Sequence, residues 1–146
     1  MQILSLACVA IIIMLPVCLK GNVALKKIKI LSYGVNTLND GFTINSGIHA
    51  EHDAIRKLLP LKRKKRLENI NILVIRISTK NKLQSSKPCA NCINIMKNLP
   101  EKMGYKIQNV YYSDSNENIV KTTLMKLDND EKHYSRYYRN RCKEYL

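Results

Sequence analysis

Ile70-Asn71-Ile72-Leu73-Val74-Ile75-Arg76-Ile77 reads as a strand. It is an apolar, β-branched stretch of the kind expected where a strand is buried on both faces. The residues after it change character. Lys80 to Lys87 is polar and reads as a loop. Pro88 then stands at a helix start, and Cys89 to Leu99 reads as a helix that Pro100 ends. Ile107 to Tyr112 is a further strand. Upstream, Leu25 to Val35 reads as a strand, preceded by a turn at Gly21-Asn22 and followed by a polar loop from Asn36 to Gly47. Ser46 is the candidate N-cap of a helix from Ile48 to Leu59, stopped by Pro60. Asn118 to Leu127 reads as a third helix, and Tyr134 to Tyr145 as a last, exposed one. Strands alternating with helices give the α/β class, with helices expected on both faces of the sheet.

A chain of 146 residues fits one domain, here expected to span 1–146. At 45% hydrophobic it can bury a core, which sets it apart from the disordered and fibrous classes. With no Trp and one Phe, that core must be aliphatic. The formal net charge is +14, and a run of basic residues stands at Lys62 to Arg66. Such a surface attracts phosphate, whether on nucleotides, nucleic acid or anionic membranes. A solvated lysine-rich face explains it equally well. The five cysteines are Cys8, Cys18, Cys89, Cys92 and Cys142. An odd count without regular spacing argues against a secreted disulfide scaffold and for a reducing setting, cytoplasmic with the nucleus as the alternative.

The N-terminal segment 1–30 is atypical. Ile3 to Leu19 is almost wholly apolar, and no basic residue precedes it as a signal peptide requires. At 17 residues it reaches only the lower limit for a bilayer-spanning helix. It is read as a buried element of the core, so no membrane partner is expected. An anchor with Lys20, Lys26, Lys27 and Lys29 on the cytoplasmic side is the competing reading.

Two short motifs carry chemistry. The first is Ser46-Gly47-Ile48-His49-Ala50-Glu51, and the second is Lys87-Pro88-Cys89-Ala90-Asn91-Cys92. One His and two Cys can hold a zinc ion and leave its fourth position to water. Both motifs fall at expected helix N-termini, where the helix dipole favours the thiolate form that binds metal. Glu51, two residues beyond His49, can carry protons without being a ligand. Other readings are a structural zinc site and a redox C-x-x-C. The first needs a fourth ligand, and His52, His133, Cys8, Cys18 and Cys142 lack ligand-like spacing to the pair. The second leaves Pro88 and the upstream His49 and Glu51 unexplained.

Together the motifs read H-x-E … P-C-x-x-C, and the chain resembles the cytidine/deoxycytidylate deaminase superfamily, in its His-Cys-Cys branch. Gly34-Val35-Asn36 is similar to that family's G-x-N element. The resemblance covers roughly Leu31 to Leu127. It implies a three-layer α/β/α fold with a five-stranded mixed sheet and one zinc per chain held by His49, Cys89 and Cys92. It implies Glu51 as the catalytic residue, Asn36, Ala50 and Pro88 as substrate contacts, and a homodimer. The implied reaction is hydrolytic deamination of a nucleoside or nucleotide, with cytosine-type bases favoured. A polynucleotide or tRNA substrate is the alternative, and a non-catalytic, zinc-stabilised nucleic-acid-binding protein is a second. The 132–146 segment bears on that choice, because it interleaves Arg136, Tyr137, Tyr138, Arg139 and Arg141. Such interleaving suits phosphate contacts with base stacking, or an amphipathic end helix with Tyr on the body and Arg in solvent.

Overall fold

A computed structural model describes residues 7–14, 28–37, 47–62 and 66–135. The stretch Ile70–Ile77 lies inside β3 (Glu68–Ile77), in the middle of a mixed sheet. The other strands are β1 (Ala7–Met14), β2 (Lys29–Val35), β4 (Leu83–Gln84), β5 (Tyr105–Ser113) and β6 (Ile119–Thr122). The order is β2-β1-β3-β5-β6, with the short β4 pairing on β3. The sheet thus has six strands, five in order, where the sequence led to an expectation of five. The β3 and β5 strands run parallel, and every other pairing is antiparallel. A parallel pair requires a crossover. Here α2 (Ala90–Lys102) supplies it.

Side chains alternate across a strand. Ala10, Ile12, Ile70, Ile72 and Val74 therefore share one face, joined by Ile107 and Val110 across a one-residue register shift at Gln108 in β5, and all are buried there. Against them pack α1 (Ala50–Arg56), α2 and α3 (Leu124–Asn129), through Ala54, Ile55, Ile93, Met96 and Leu127. The helices also touch one another in chain order. The expected three-layer arrangement is thus seen as two layers among the described residues. No described helix covers the opposite face, where a row Tyr33, Ile11, Leu73, Tyr111 crosses four strands.

The apolar N-terminal run is a core strand over the described part, Ala7–Met14. Its β-branched residues suit a pleated surface better than a helix. It lies between β2 and β3, and Ala10 and Ile12 are 0% exposed. Among the described residues, no helix is long and apolar enough to cross a membrane. Deleting residues 1–19 removes this strand and leaves β2 with no neighbour. The truncated chain is expected to lose cooperative unfolding and soluble yield, checked by circular dichroism and thermal melts. A folded truncation with a sharp melt would refute the core assignment.

Three sequence expectations are corrected. The residues 118–127 are not one helix. The Asp114 carboxylate accepts from the backbone N–H groups of Asn116 and Asn118 at 2.8 Å each, and Glu117 adopts a positive φ of 64°. This turn reverses the chain, so Ile119–Thr122 pairs with β5, and only then does Thr123 cap α3 by accepting from the Lys126 N–H. Pro100 does not end α2, which runs on to Lys102. Proline there forfeits one backbone bond, while the Met103 and Gly104 N–H groups close the last turn on Pro100 and Glu101. The N-cap of α1 is His49, in extended conformation, and the helix ends at Arg56. Of the expected terminal helix, only Tyr134 and Ser135 are described, without helix; the rest, like the Gly21-Asn22 turn and Ser46, lies outside the described residues.

Candidate metal centre

Two backbone clamps build the site at one end of the sheet. The first joins β2 to α1. Gly34 has no side chain, and a Cβ there would lie 2.2 Å from the Ala50 oxygen and 2.3 Å from the Ala54 nitrogen. Only glycine lets the strand approach the helix so closely. The Ser32 hydroxyl donates to the Ala54 carbonyl at 2.8 Å. Asp53 is 2% exposed, and its Oδ2 accepts from the Val35 N–H at 3.2 Å. Burial opposes its charge, yet Lys57, the Val35 N–H and Arg56 outweigh burial and hold the carboxyl below the ordinary range. Beyond β2, the Thr37 N–H donates to the Ile48 carbonyl at 3.0 Å. The start of α1, with His49 and Glu51, is thereby locked beside Asn36.

The second clamp holds the loop that carries Cys89. The Ser86 hydroxyl donates to the Val74 carbonyl at 2.8 Å and lies 2.9 Å from the Ser113 hydroxyl. The Ser86 N–H donates to the Ser113 carbonyl at 2.8 Å, and the Ser113 hydroxyl donates to the Gln84 carbonyl at 2.6 Å. This buried network ties residues 84–86 to β3 and β5. Cys89 then forms the N-cap position of α2, and Cys92 follows one turn on.

The result is a group of His49, Cys89 and Cys92 whose ligand atoms all lie within 4.8 Å of one another. His49 Nδ1 is 3.2 Å from the Cys92 sulfur and 3.5 Å from the Cys89 sulfur. A tetrahedral zinc with ordinary Zn–N and Zn–S bonds puts adjacent N and S donors about 3.6 Å apart. The donor set and its spacing fit such an ion. Among the described residues no fourth His, Cys, Asp or Glu joins the group. His52 and Cys8 are described and stand outside it, as does His133, whose carbonyl accepts from the Ala90 N–H at 3.0 Å.

The protonation pattern suits metal exchange. Cys92 donates to Cys89, and with His49 this keeps the Cys89 sulfur well below the ordinary thiol range despite burial. The bond to Cys89, reinforced by burial and Glu51, pushes Cys92 far upward, so Cys92 retains the shared proton. The bond to Cys89 also raises His49, against its burial. A divalent ion displaces this proton, so binding releases it to solvent and weakens as pH falls. Protein purified without chelator is expected to carry about one zinc per chain, as one three-donor group implies. Cys92→Ser should lose most of it, because a serine hydroxyl is a poor zinc donor at neutral pH. Full zinc by elemental analysis in that variant would sink the assignment.

Glu51 is 5% exposed and is not one of the three. Burial pushes its pKa up, against its own backbone N–H and the nearby His49. Asn36 is exposed, with its N–H donating to the Cys8 carbonyl at 3.0 Å. Ala50 and Pro88, the chain neighbours of His49 and Cys89, are fully buried. No family model matches the chain, and no curated protein does either. A groove of about 680 Å3 lies elsewhere, between α2, β5 and α3, lined by Met96, Tyr105, Leu124 and Met125. It contains none of the His-Cys-Cys group or Glu51. The sequence reading missed Asp53, Ser86 and Ser113. Asp53 alone left a signal, as a carboxylate four residues after His49 on a helix with Arg56 and Lys57.

Proposed function

We propose that this chain is a zinc-dependent hydrolytic deaminase with the deaminase-like α/β/α fold, acting on a cytosine-type base of a nucleoside or nucleotide. One observation carries the reading. A buried carboxylate, Glu51, sits against a three-donor metal group of which it is not a member. A purely structural site has no use for it, because burying a carboxylate costs free energy that needs a return. Zinc, when bound by His49, Cys89 and Cys92, supplies a water whose pKa falls toward neutrality. Glu51 takes a proton from the attacking water, delivers it to the ring nitrogen, and later protonates the leaving amine. Water adds at the amino-bearing carbon and ammonia departs, so a cytosine-type base becomes a uracil-type base. Asn36 offers a donor and an acceptor to the substrate, while Ala50 and Pro88 form the wall behind it. The thiolate ligands suit a reducing, cytoplasmic setting.

Ammonia release from a panel of cytosine and adenine nucleosides, nucleotides and oligonucleotides tests this directly. Release from cytosine substrates by the zinc-loaded chain is expected. No release from any member would overturn the reading. The charge of +14 favours a second form of it, in which the base is carried on a nucleic-acid strand. The oligonucleotides in the panel decide between the two.

A further inference from the structure

Arg76 is the next-to-last residue of β3, at the end of the sheet that carries the metal group. It stands directly opposite Cys8 of β1 in the antiparallel ladder. Directly paired residues share a face. Cys8 is two residues from Ala10 and packs on the same core, so Arg76 faces the side of α1 and Glu51. The Cys8 thiol bears this out: burial and then Glu51 push it up to about 12, while Arg76 pulls it down. The carbonyl of the same Cys8 accepts from the Asn36 N–H at 3.0 Å. Arg76 on β3, Cys8 on β1 and Asn36 just after β2 thus form one edge of the site.

The position of Arg76 is fixed and its charge is unspent. Its backbone pairs with Cys8 on one side and Gln84 on the other, and its N–H donates to the Ser113 hydroxyl at 3.3 Å. The residue is exposed. Among the described residues no carboxylate pairs with it: Asp53 holds Arg56 and Lys57, Asp128 holds Lys97 and Lys132, and Asp130 holds Lys87. A guanidinium presents a planar fork that matches phosphate oxygens. The strand fixes where its backbone stands, so only side-chain freedom is lost on binding.

We propose that Arg76 is the phosphate-binding and specificity-determining residue of this site, which makes a phosphorylated nucleotide, and not a free nucleoside, its substrate class. This rests on the deaminase reading for the base, while the phosphate contact itself is independent of turnover. A mononucleotide phosphate and a strand phosphodiester offer Arg76 the same oxygens.

The test is calorimetric titration of the zinc-loaded full chain with cytidine, CMP and a short cytosine oligonucleotide, alongside ammonia release from each. The parent should bind CMP or the oligonucleotide at least about tenfold more tightly than cytidine, the usual scale for a charge-assisted contact. The tighter of the two phosphate ligands identifies the source. Arg76→Gln should erase that preference and leave cytidine binding and thermal stability unchanged. Arg76→Lys should restore part of it. Equal binding of all three ligands by the parent, or a preference that survives in Arg76→Gln, overturns the proposal. A phosphate preference without ammonia release would refute the deaminase reading and support the phosphate site. Ammonia release from cytidine equal to that from either phosphate ligand would do the reverse.

Discussion

Glu51→Ala is expected to keep about one zinc per chain and to lower kcat for ammonia release by about a hundredfold to ten-thousandfold, the usual range for a positioned general acid–base group. The metal should stay because Glu51 lies outside the His49, Cys89 and Cys92 group. Activity should fall because in the proposed mechanism one carboxylate serves every proton transfer, and nothing else acidic joins the cluster among the described residues. Stability should not fall. Burial raises the Glu51 pKa, which means that the folded chain disfavours its ionised form. The sign follows. A raised carboxyl contributes stability below its unfolded pKa of about 4.3 and loses that contribution as pH rises through the folded value. At neutral pH, Glu51→Gln in the zinc-free chain should therefore melt no lower than the parent. Both variants would be measured for zinc content, melting and turnover. Turnover within a few-fold of the parent would remove Glu51 from the mechanism. Loss of zinc with loss of activity would make it a ligand.

The parts of this architecture that were legible in the sequence are those that depend on near neighbours. The β3 strand was readable because β-branched residues recur within one short stretch, and α2 because Pro88 announces its start. The metal group was readable because its spacing is local within each half. Pairing across the sheet was not. Residues 119–122 form a strand only because β5 offers them an edge, and the Asp114 turn that delivers them there is a side-chain effect. The two clamps were hidden for the same reason. Asp53 meets Val35, 18 positions away, and Ser86 meets Ser113, 27 positions away. A lone Asp or Ser carries no mark of a partner that folding brings from so far. Pro100 misled by rule: proline disfavours a helix interior, but here it costs α2 a single N–H bond, and the Met103 and Gly104 N–H groups still close the last turn.

Gly34→Ala should be strongly destabilising, and should cost the metal as well. The new Cβ would sit 2.2 Å from the Ala50 oxygen, 2.3 Å from the Ala54 nitrogen and 2.9 Å from the Ala54 Cα. All three are backbone atoms, so no rotamer change relieves the overlap. The α1 helix must retreat from β2. Retreat strains the Ser32 bond to Ala54 and the Asp53 bond to Val35. Overpacking and a weakened buried carboxylate bond together should cost about 3 kcal/mol or more. For a chain of this size that lowers Tm by roughly 6–12 °C. The retreat also carries His49 away from Cys89 and Cys92, because the cysteine loop is held separately by Ser86 and Ser113. Ile12→Ala is the control. Ile12 is 0% exposed, and its truncation should cost about 2–5 kcal/mol through a cavity. That cavity lies beneath the helices and opposite Ser32, but Ile12 itself makes none of the clamp hydrogen bonds. Both variants should melt early, but only Gly34→Ala should lose zinc affinity in a chelator competition. A Gly34→Ala chain with the parent's Tm and one zinc would show that α1 does not need this contact. Equal zinc loss in both would show that the site follows global stability and not the β2–α1 clamp.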